Sequence, residues 1–125
     1  MVWGNPVVEA IQIEKVQAAF QPFVGHRVYL HLETTPGAYA AESWDGSKGL
    51  AAGAYIRNAE VCIKRAVIAG RGPFRVGLQM ENGWIYAEGL TDWELDAQGR
   101  LLLAGHDEVG RLAVALELSR TPFPL

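Results

Sequence analysis

Hydrophobic residues recur with two different periods along this chain, and the change between them separates one predicted helix from a long β region. Near the start, Val8, Ile11, Ile13, Val16, Ala19 and Phe20 fall on one broad arc, while Glu9, Gln12, Glu14, Lys15 and Gln17 stay polar. That spacing predicts an amphipathic helix over about residues 8–21, stopped by Pro22 and Gly25. From Arg27 the period falls to two. Val28, Leu30 and Leu32 alternate with Tyr29, His31 and Glu33, the pattern of a strand with one buried face. Thr35-Pro36-Gly37 breaks it. Residues 39–53 include the polar, glycine-bearing Ser43-Trp44-Asp45-Gly46-Ser47-Lys48-Gly49 and read as an exposed loop. A further extended run covers residues 60–69 and ends at Gly70-Arg71-Gly72-Pro73.

The remainder predicts a meander of hairpins. Asn82-Gly83, the strongest two-residue hairpin signal, joins residues 74–81 to residues 84–89. A two-residue turn there sets Met80 against Ile85 and Leu78 against Ala87. These four, with Phe74 and Val76, form the expected inner face; Arg75, Gln79, Glu81, Trp84, Tyr86 and Glu88 form the outer one. Asp96-Ala97-Gln98-Gly99-Arg100-Leu101 and Asp107-Glu108-Val109-Gly110-Arg111-Leu112 are near copies. Each fits a type I turn closed by a left-handed glycine. The second turn's register groups Leu102, Ala104 and His106 with Leu116, Val114 and Leu112, and leaves Leu101 and Leu103 opposite, beside Trp93 and Leu95.

Residues 101–104 are therefore apolar on both faces, which a half-solvated sheet does not need. Either the sheet closes into a barrel or sandwich, or a second subunit covers its outer side. The expected fold is mainly β: an antiparallel barrel-like or sandwich domain built from hairpins, with one N-terminal α-helix. At 125 residues, with a β region over about 27–119, the chain fits a single domain.

Composition narrows the function. A 50% hydrophobic, 20% charged chain is that of a folded domain, not a disordered one. Eleven basic against fourteen acidic residues supply no cationic surplus, so no nucleic-acid partner is expected. The lone cysteine, Cys62, excludes an intrachain disulfide. No apolar run nears the ~20 residues that cross a bilayer, and Met1-Val2-Trp3-Gly4-Asn5-Pro6 is no signal sequence. The expectation is a cytoplasmic protein with no membrane partner.

Several segments resemble the YojF-like family of small bacterial proteins. They are His31-Leu32-Glu33-Thr34-Thr35, Gly53-Ala54-Tyr55-Ile56-Arg57-Asn58-Ala59, Gly72-Pro73-Phe74-Arg75-Val76-Gly77-Leu78, Gly83-Trp84-Ile85-Tyr86-Ala87-Glu88-Gly89-Leu90-Thr91 and Leu101-Leu102-Leu103-Ala104-Gly105-His106-Asp107. The likeness spans about residues 27–119 and carries no catalytic signature. It implies a mainly β, barrel-like fold. It also implies an accessory role beside a deacetylase of low-molecular-weight thiol (bacillithiol) synthesis, and no catalytic residue.

The residues themselves offer several chemistries. His31 and Glu33 project from one strand face; with His106 they could ligate a metal, or they could simply hydrogen-bond within the sheet. Their spacing is half of a cupin-like metal motif, without the remaining histidines and glutamate. His106-Asp107-Glu108 stands at a hairpin mouth, where His106 could serve as a general base but has no visible nucleophile beside it. Ser43, Ser47 and Ser119 lie in no nucleophile elbow. Cys62 shares a strand face with Lys64, whose ammonium could activate the thiol, although a strand cysteine is more often a packing residue. Gly70-Arg71-Gly72-Pro73 with Arg75 could cradle an anion but fails the dinucleotide fingerprint, and turn chemistry accounts for both glycines. Trp84, Tyr86, Gln79, Arg75 and Glu88 form an aromatic–arginine patch typical of interfaces and ligand pockets; the alternative is a second core layer under the 43–49 loop or the helix.

Two functions remain. The favoured one is a non-catalytic domain, a homodimer without a cofactor, that binds a protein partner or small-molecule ligand. The other is a small metal-dependent enzyme using His31, Glu33 and His106. The candidate ligand- or partner-binding residues are His31, Glu33, Arg75, Trp84, Tyr86, Glu88 and His106, and the open question is whether His31, Glu33, Glu88 and His106 converge on one cavity.

Overall fold

In a computed structural model that describes residues 8–34 and 53–125, the alternating segments become strands of two antiparallel sheets. The larger sheet has the order β1 (Glu9–Ala10), β7 (Asp92–Leu95), β8 (Leu101–His106), β9 (Leu112–Ser119), β2 (Arg27–Thr34) and β3 (Ala54–Cys62). The smaller has the order β4 (Arg65–Gly70), β5 (Phe74–Gln79) and β6 (Trp84–Leu90). The expected mainly β, hairpin-built fold with one helix is present. The two sheets stay separate rather than closing into one barrel. Among the described residues no helix is long and apolar enough to cross a membrane. The break at 35–37 and the loop at 39–52 lie outside the described residues.

The core is the set of inward residues that a period of two provides: Val28 and Leu30, Leu101 and Leu103, Leu116 and Leu118, Val76 and Leu78, all buried. Removing each from water stabilises the fold by roughly 1.5–3 kcal/mol. Phe20 and Phe23 add the aromatic bulk from the helical segment. The helix α1 (Ile13–Ala19) packs on β4, an edge strand. Its Gln17 donates from Nε2 to the Ala66 carbonyl at 2.6 Å and accepts from the Ile68 N–H at 3.1 Å. One side-chain amide thus occupies two backbone groups that the edge would otherwise leave open.

The helix is shorter than the apolar arc over 8–21. Glu9 and Ala10 pair with Trp93 and Asp92, and the Ile11 N–H donates to the Thr91 carbonyl. Those backbone groups enter the sheet, Gln12 is extended, and the helix begins only at Ile13. The run at 60–69 is likewise two strands, not one. Ile63 is fully buried and its carbonyl accepts from the Gly25 N–H, while the Lys64 N–H donates to the Gln79 carbonyl. At this point the chain leaves one sheet for the other.

The Asn82-Gly83 hairpin also differs in register. Leu78 faces Ile85 and Val76 faces Ala87, because Met80 and Gly83 flank the turn and their Met80 N–H to Gly83 carbonyl bond is 2.8 Å. Glu81 and Asn82 are then its central residues. The slip moves the partner by two positions, so the inner and outer faces survive. The β8–β9 pairing departs further. Leu101 pairs with Leu118 and Leu103 with Leu116, as a bulge between Gly105 and His106 shifts the ladder by one residue. A one-residue shift exchanges faces. Leu116 and Val114 therefore join Leu101 and Leu103 inside, whereas Leu102 and Ala104 share the outer face with Glu117 and Ala115. The pairing of Trp93 with Leu103 and Leu95 with Leu101 is as expected.

The twin turns hold their expected form. Gly99 and Gly110 have φ of 79° and 84°, the left-handed conformation that favours glycine. The Asp96 carboxylate accepts from the Gln98 and Arg100 N–H groups, and Asp107 accepts from those of Val109 and Arg111.

Candidate functional site

The outer face of the smaller sheet carries a trench of about 280 Å³. Register explains it. Arg65, Gln79 and Trp84 lie in one row across the three strands, Val67, Gly77 and Tyr86 in the next, and Ala69, Arg75 and Glu88 in the third. Trp84 and Tyr86, two apart on β6, project from one face and stack with centroids 5.5 Å apart and planes 5° apart. They lean over Gly77, where a Cβ would come within 2.9 Å of Tyr86 and 3.3 Å of Trp84. The missing side chain is what lets both rings lie across the sheet. Arg65 stands over the Trp84 ring at 5.4 Å and Arg75 over the Tyr86 ring at 4.5 Å. The result is a ladder of guanidinium, indole, phenol and guanidinium, with Val67 and Ala69 alongside. The rings remain 37% and 48% exposed. Glu88, opposite Arg75, pairs with it at 3.7 Å.

His31 lies elsewhere. It is 3% exposed on the outer face of the larger sheet, where β3 bulges. Leu30 pairs with Ala59 and Leu32 with Ile56, so Arg57 and Asn58 together oppose His31, and Asn58 takes φ of 60°. The Arg57 guanidinium can only donate, so at 3.2 Å it makes His31 Nδ1 an acceptor. The ring proton then sits on Nε2 and is donated to Glu33 Oε1 at 2.7 Å. The contact is one hydrogen bond of a network, and both ring nitrogens are occupied.

The C-terminal segment closes over this network. Asn58 accepts from the Phe123 N–H at 2.7 Å and donates to the Phe123 carbonyl at 2.9 Å. Arg57 donates twice to the Pro124 carbonyl and lies 4.9 Å from the Phe123 ring. Tyr55 and Phe123 meet the imidazole edge-on at 5.2 and 6.2 Å. Arg57 and Asn58 therefore hold the tail to the sheet, and His31 supports Arg57 beneath it.

His106 stands apart from both. Its Nδ1 is 3.3 Å from Asp92 Oδ2, which also accepts from the Thr91 hydroxyl at 2.9 Å. It separates two grooves. One, about 450 Å³, is lined by His106, Glu88, Thr34 and Thr91; the other, about 320 Å³, by His106, Glu33, Asp92, Glu94 and Glu117 around Leu102 and Ala104. Burial, then the charges of Asp96 and Glu117, push the Glu94 carboxyl above its ordinary range. His31, Glu33, Glu88 and His106 do not share one cavity: Glu33 and Glu88 border different grooves, and His31 lines neither. Among the described residues no three His, Cys, Asp or Glu side chains assemble as a metal-holding group, so His31, Glu33 and His106 do not form one.

The remaining candidates have local explanations. Lys64 hydrogen-bonds Glu81 at 2.6 Å, which raises the ammonium pKa and lowers that of the carboxylate, and Cys62 ends β3 exposed. Gly70 and Gly72, with φ of 113° and 118°, turn the chain between β4 and β5. Ser119 is buried and bonds within the tail. Ser43 and Ser47 lie outside the described residues.

Sequence reasoning missed Arg65 and Gly77 in the trench, and Arg57, Asn58 and Phe123 around His31. Arg65 carried a usable signal, since it alternates in phase with Val67 and Ala69. Arg57, Asn58 and Phe123 carried none, because their role depends on a bulge and on a tail returning from far along the chain.

The family model for "Protein of unknown function (DUF1806)" matches residues 10–123. The chain belongs to that family. It is 49% identical over 116 residues to "Uncharacterized protein YojF" of Bacillus subtilis (strain 168), covering 93% of this chain and 98% of that protein. The crystal structure of the Bacillus subtilis YojF protein matches with a TM-score of 0.78 at 46% identity, over 94% of this chain and 98% of that one. The family likeness in the quoted segments is therefore shown across nearly the whole chain. The trench residues all fall inside the matched region.

Proposed function

We propose that the protein is a non-catalytic accessory domain that works as a homodimer and binds its ligand in the trench between Arg65 and Arg75. One observation carries this reading: two stacked aromatic rings, exposed by more than a third each, bracketed by guanidinium groups. Aromatic–arginine surfaces of this kind dominate recognition sites. The engagement of both His31 nitrogens supports a structural rather than chemical role for the most buried histidine. The apolar outer side of β8, with Leu102 beside Ala104, supports the second subunit. The resemblance to YojF-like proteins supports an accessory role in low-molecular-weight thiol synthesis.

An amide-resolved NMR titration with benzoate and with benzyl alcohol tests the site. Perturbations are expected at residues 65–69, 75–79 and 84–88, led by the Trp84 indole N–H. Perturbations confined to the His106 grooves, or none, would overturn the reading. Sedimentation should give twice 13.6 kDa, and a monomer at high concentration removes the homodimer. Stoichiometric metal in protein purified without chelator, lost in His31→Ala, would favour the metal-dependent enzyme instead.

A further inference from the structure

We infer that the trench selects a small organic anion bearing a ring, with the ring against the exposed edges of Trp84 and Tyr86 and the oxyanion paired with Arg65. The inference rests on the trench being the binding site and adds the chemistry of what binds there. The chain is acidic overall, at −3, so no general field draws anions to it. The trench is a local exception, with two guanidinium groups against the single carboxylate of Glu88.

The two arginines are not equivalent. Glu88 partly neutralises Arg75 at 3.7 Å. Arg65 has no ion pair among the described residues; its recorded contact is with the Trp84 ring. A guanidinium near a ring still carries N–H groups that can meet a planar oxyanion. The Arg65 guanidinium can therefore offer a two-pronged donor to a carboxylate or phosphate. A cationic ligand would meet two like charges and find both ring faces already engaged by arginine.

The walls define the rest of the ligand. Val67, Ala69 and the bare Gly77 backbone offer no charged group, so the body against them is apolar or flat. A volume near 280 Å³ lies just below the ~300–1,000 Å³ typical of small-molecule sites, enough for one ring and one charged substituent. Carboxylate and phosphate share the required geometry, so the test carries both.

The test compares dissociation constants of benzoate, phenyl phosphate, cyclohexanecarboxylate and benzyl alcohol, read from the Trp84 indole signal. Benzoate or phenyl phosphate should bind about tenfold more tightly than benzyl alcohol at low salt, the margin of one charge-assisted contact. That margin should shrink as salt rises, because the partners are exposed. Whichever oxyanion binds more tightly identifies the headgroup, and cyclohexanecarboxylate separates flat from saturated rings. Arg65→Gln should erase the margin between the oxyanions and benzyl alcohol, Arg65→Lys should keep part of it, and Arg75→Gln should cost less than Arg65→Gln. Arg65 is exposed, so these variants should keep the wild-type amide spectrum elsewhere. Equal binding of benzoate and benzyl alcohol in the trench would overturn the anion assignment while leaving the site intact. A margin that survives Arg65→Gln would overturn the role of Arg65. Failure of every probe to reach the trench would overturn the site itself.

Discussion

Replacing His31 by alanine tests whether this histidine is chemistry or structure. The imidazole is 3% exposed, donates to Glu33 at 2.7 Å, accepts from Arg57 at 3.2 Å and meets Tyr55 and Phe123 edge-on. A hydrogen bond to a charged group contributes about 1.5–3 kcal/mol, and each aromatic contact about 0.5–1.5 kcal/mol. Glu33 and Arg57 keep some access to water and recover part of the loss, so the net cost should be on the order of 4 kcal/mol. Against a total stability of ~5–15 kcal/mol this is large, and for a domain of this size it lowers Tm by roughly 15 °C. Calorimetry and urea unfolding read it directly. His31→Phe, which keeps a flat ring but not the hydrogen bonds, should recover a fraction of the loss. Stability within about 1 kcal/mol of wild type in His31→Ala would refute the structural role. The benzoate affinity of the folded variant should match wild type, because His31 does not line the trench.

Two further predictions concern places where the backbone leaves little choice. A Cβ at Gly105 would overlap the Gly89 carbonyl oxygen and come within 2.8 Å of its carbon and 2.9 Å of Val114 Cγ1, so Gly105→Ala should destabilise by at least the ~1–3 kcal/mol of overpacking, read as a lower urea midpoint. Burial pushes the Asp96 carboxyl up, but the amides of Arg100 and Gln98 and the Arg100 guanidinium outweigh it and hold the group below its ordinary range. A depressed carboxylate stabilises fully above its unfolded pKa of ~3.9, and that stability is lost as pH falls through the folded value. Wild type should therefore lose more of its urea midpoint between pH 6 and pH 3 than Asp96→Asn does; equal losses would contradict the assignment.

Much of this protein is local and so was legible along the chain. The two Asp-x-x-Gly turns follow from side-chain acceptors and a left-handed glycine within five residues, and they form as expected. Alternation from Arg27 onward assigned Val28, Leu30, Val76 and Leu78 to the interior, since a period of two has only two faces. The outer patch of Arg75, Trp84, Tyr86 and Glu88 came from the same rule, and even a slipped turn register kept its face because the slip was two positions.

Tertiary structure decided what depends on residues far apart. A bulge beside Gly105 reversed which residues of β9 face inward, and the switch of sheets at Ile63 split one apolar run into two strands. Glu9 and Ala10 left the helical arc because β7 offered them a ladder. His31 looked like a ligand beside Glu33 until Arg57, 26 residues away, claimed its second nitrogen and Phe123 covered it. Arg65 reached Trp84 only through three strands in register. Period and turn chemistry act over a few residues, so sequence determines them alone; which surfaces meet is set by the whole fold, where one extra residue in a ladder outweighs any local preference.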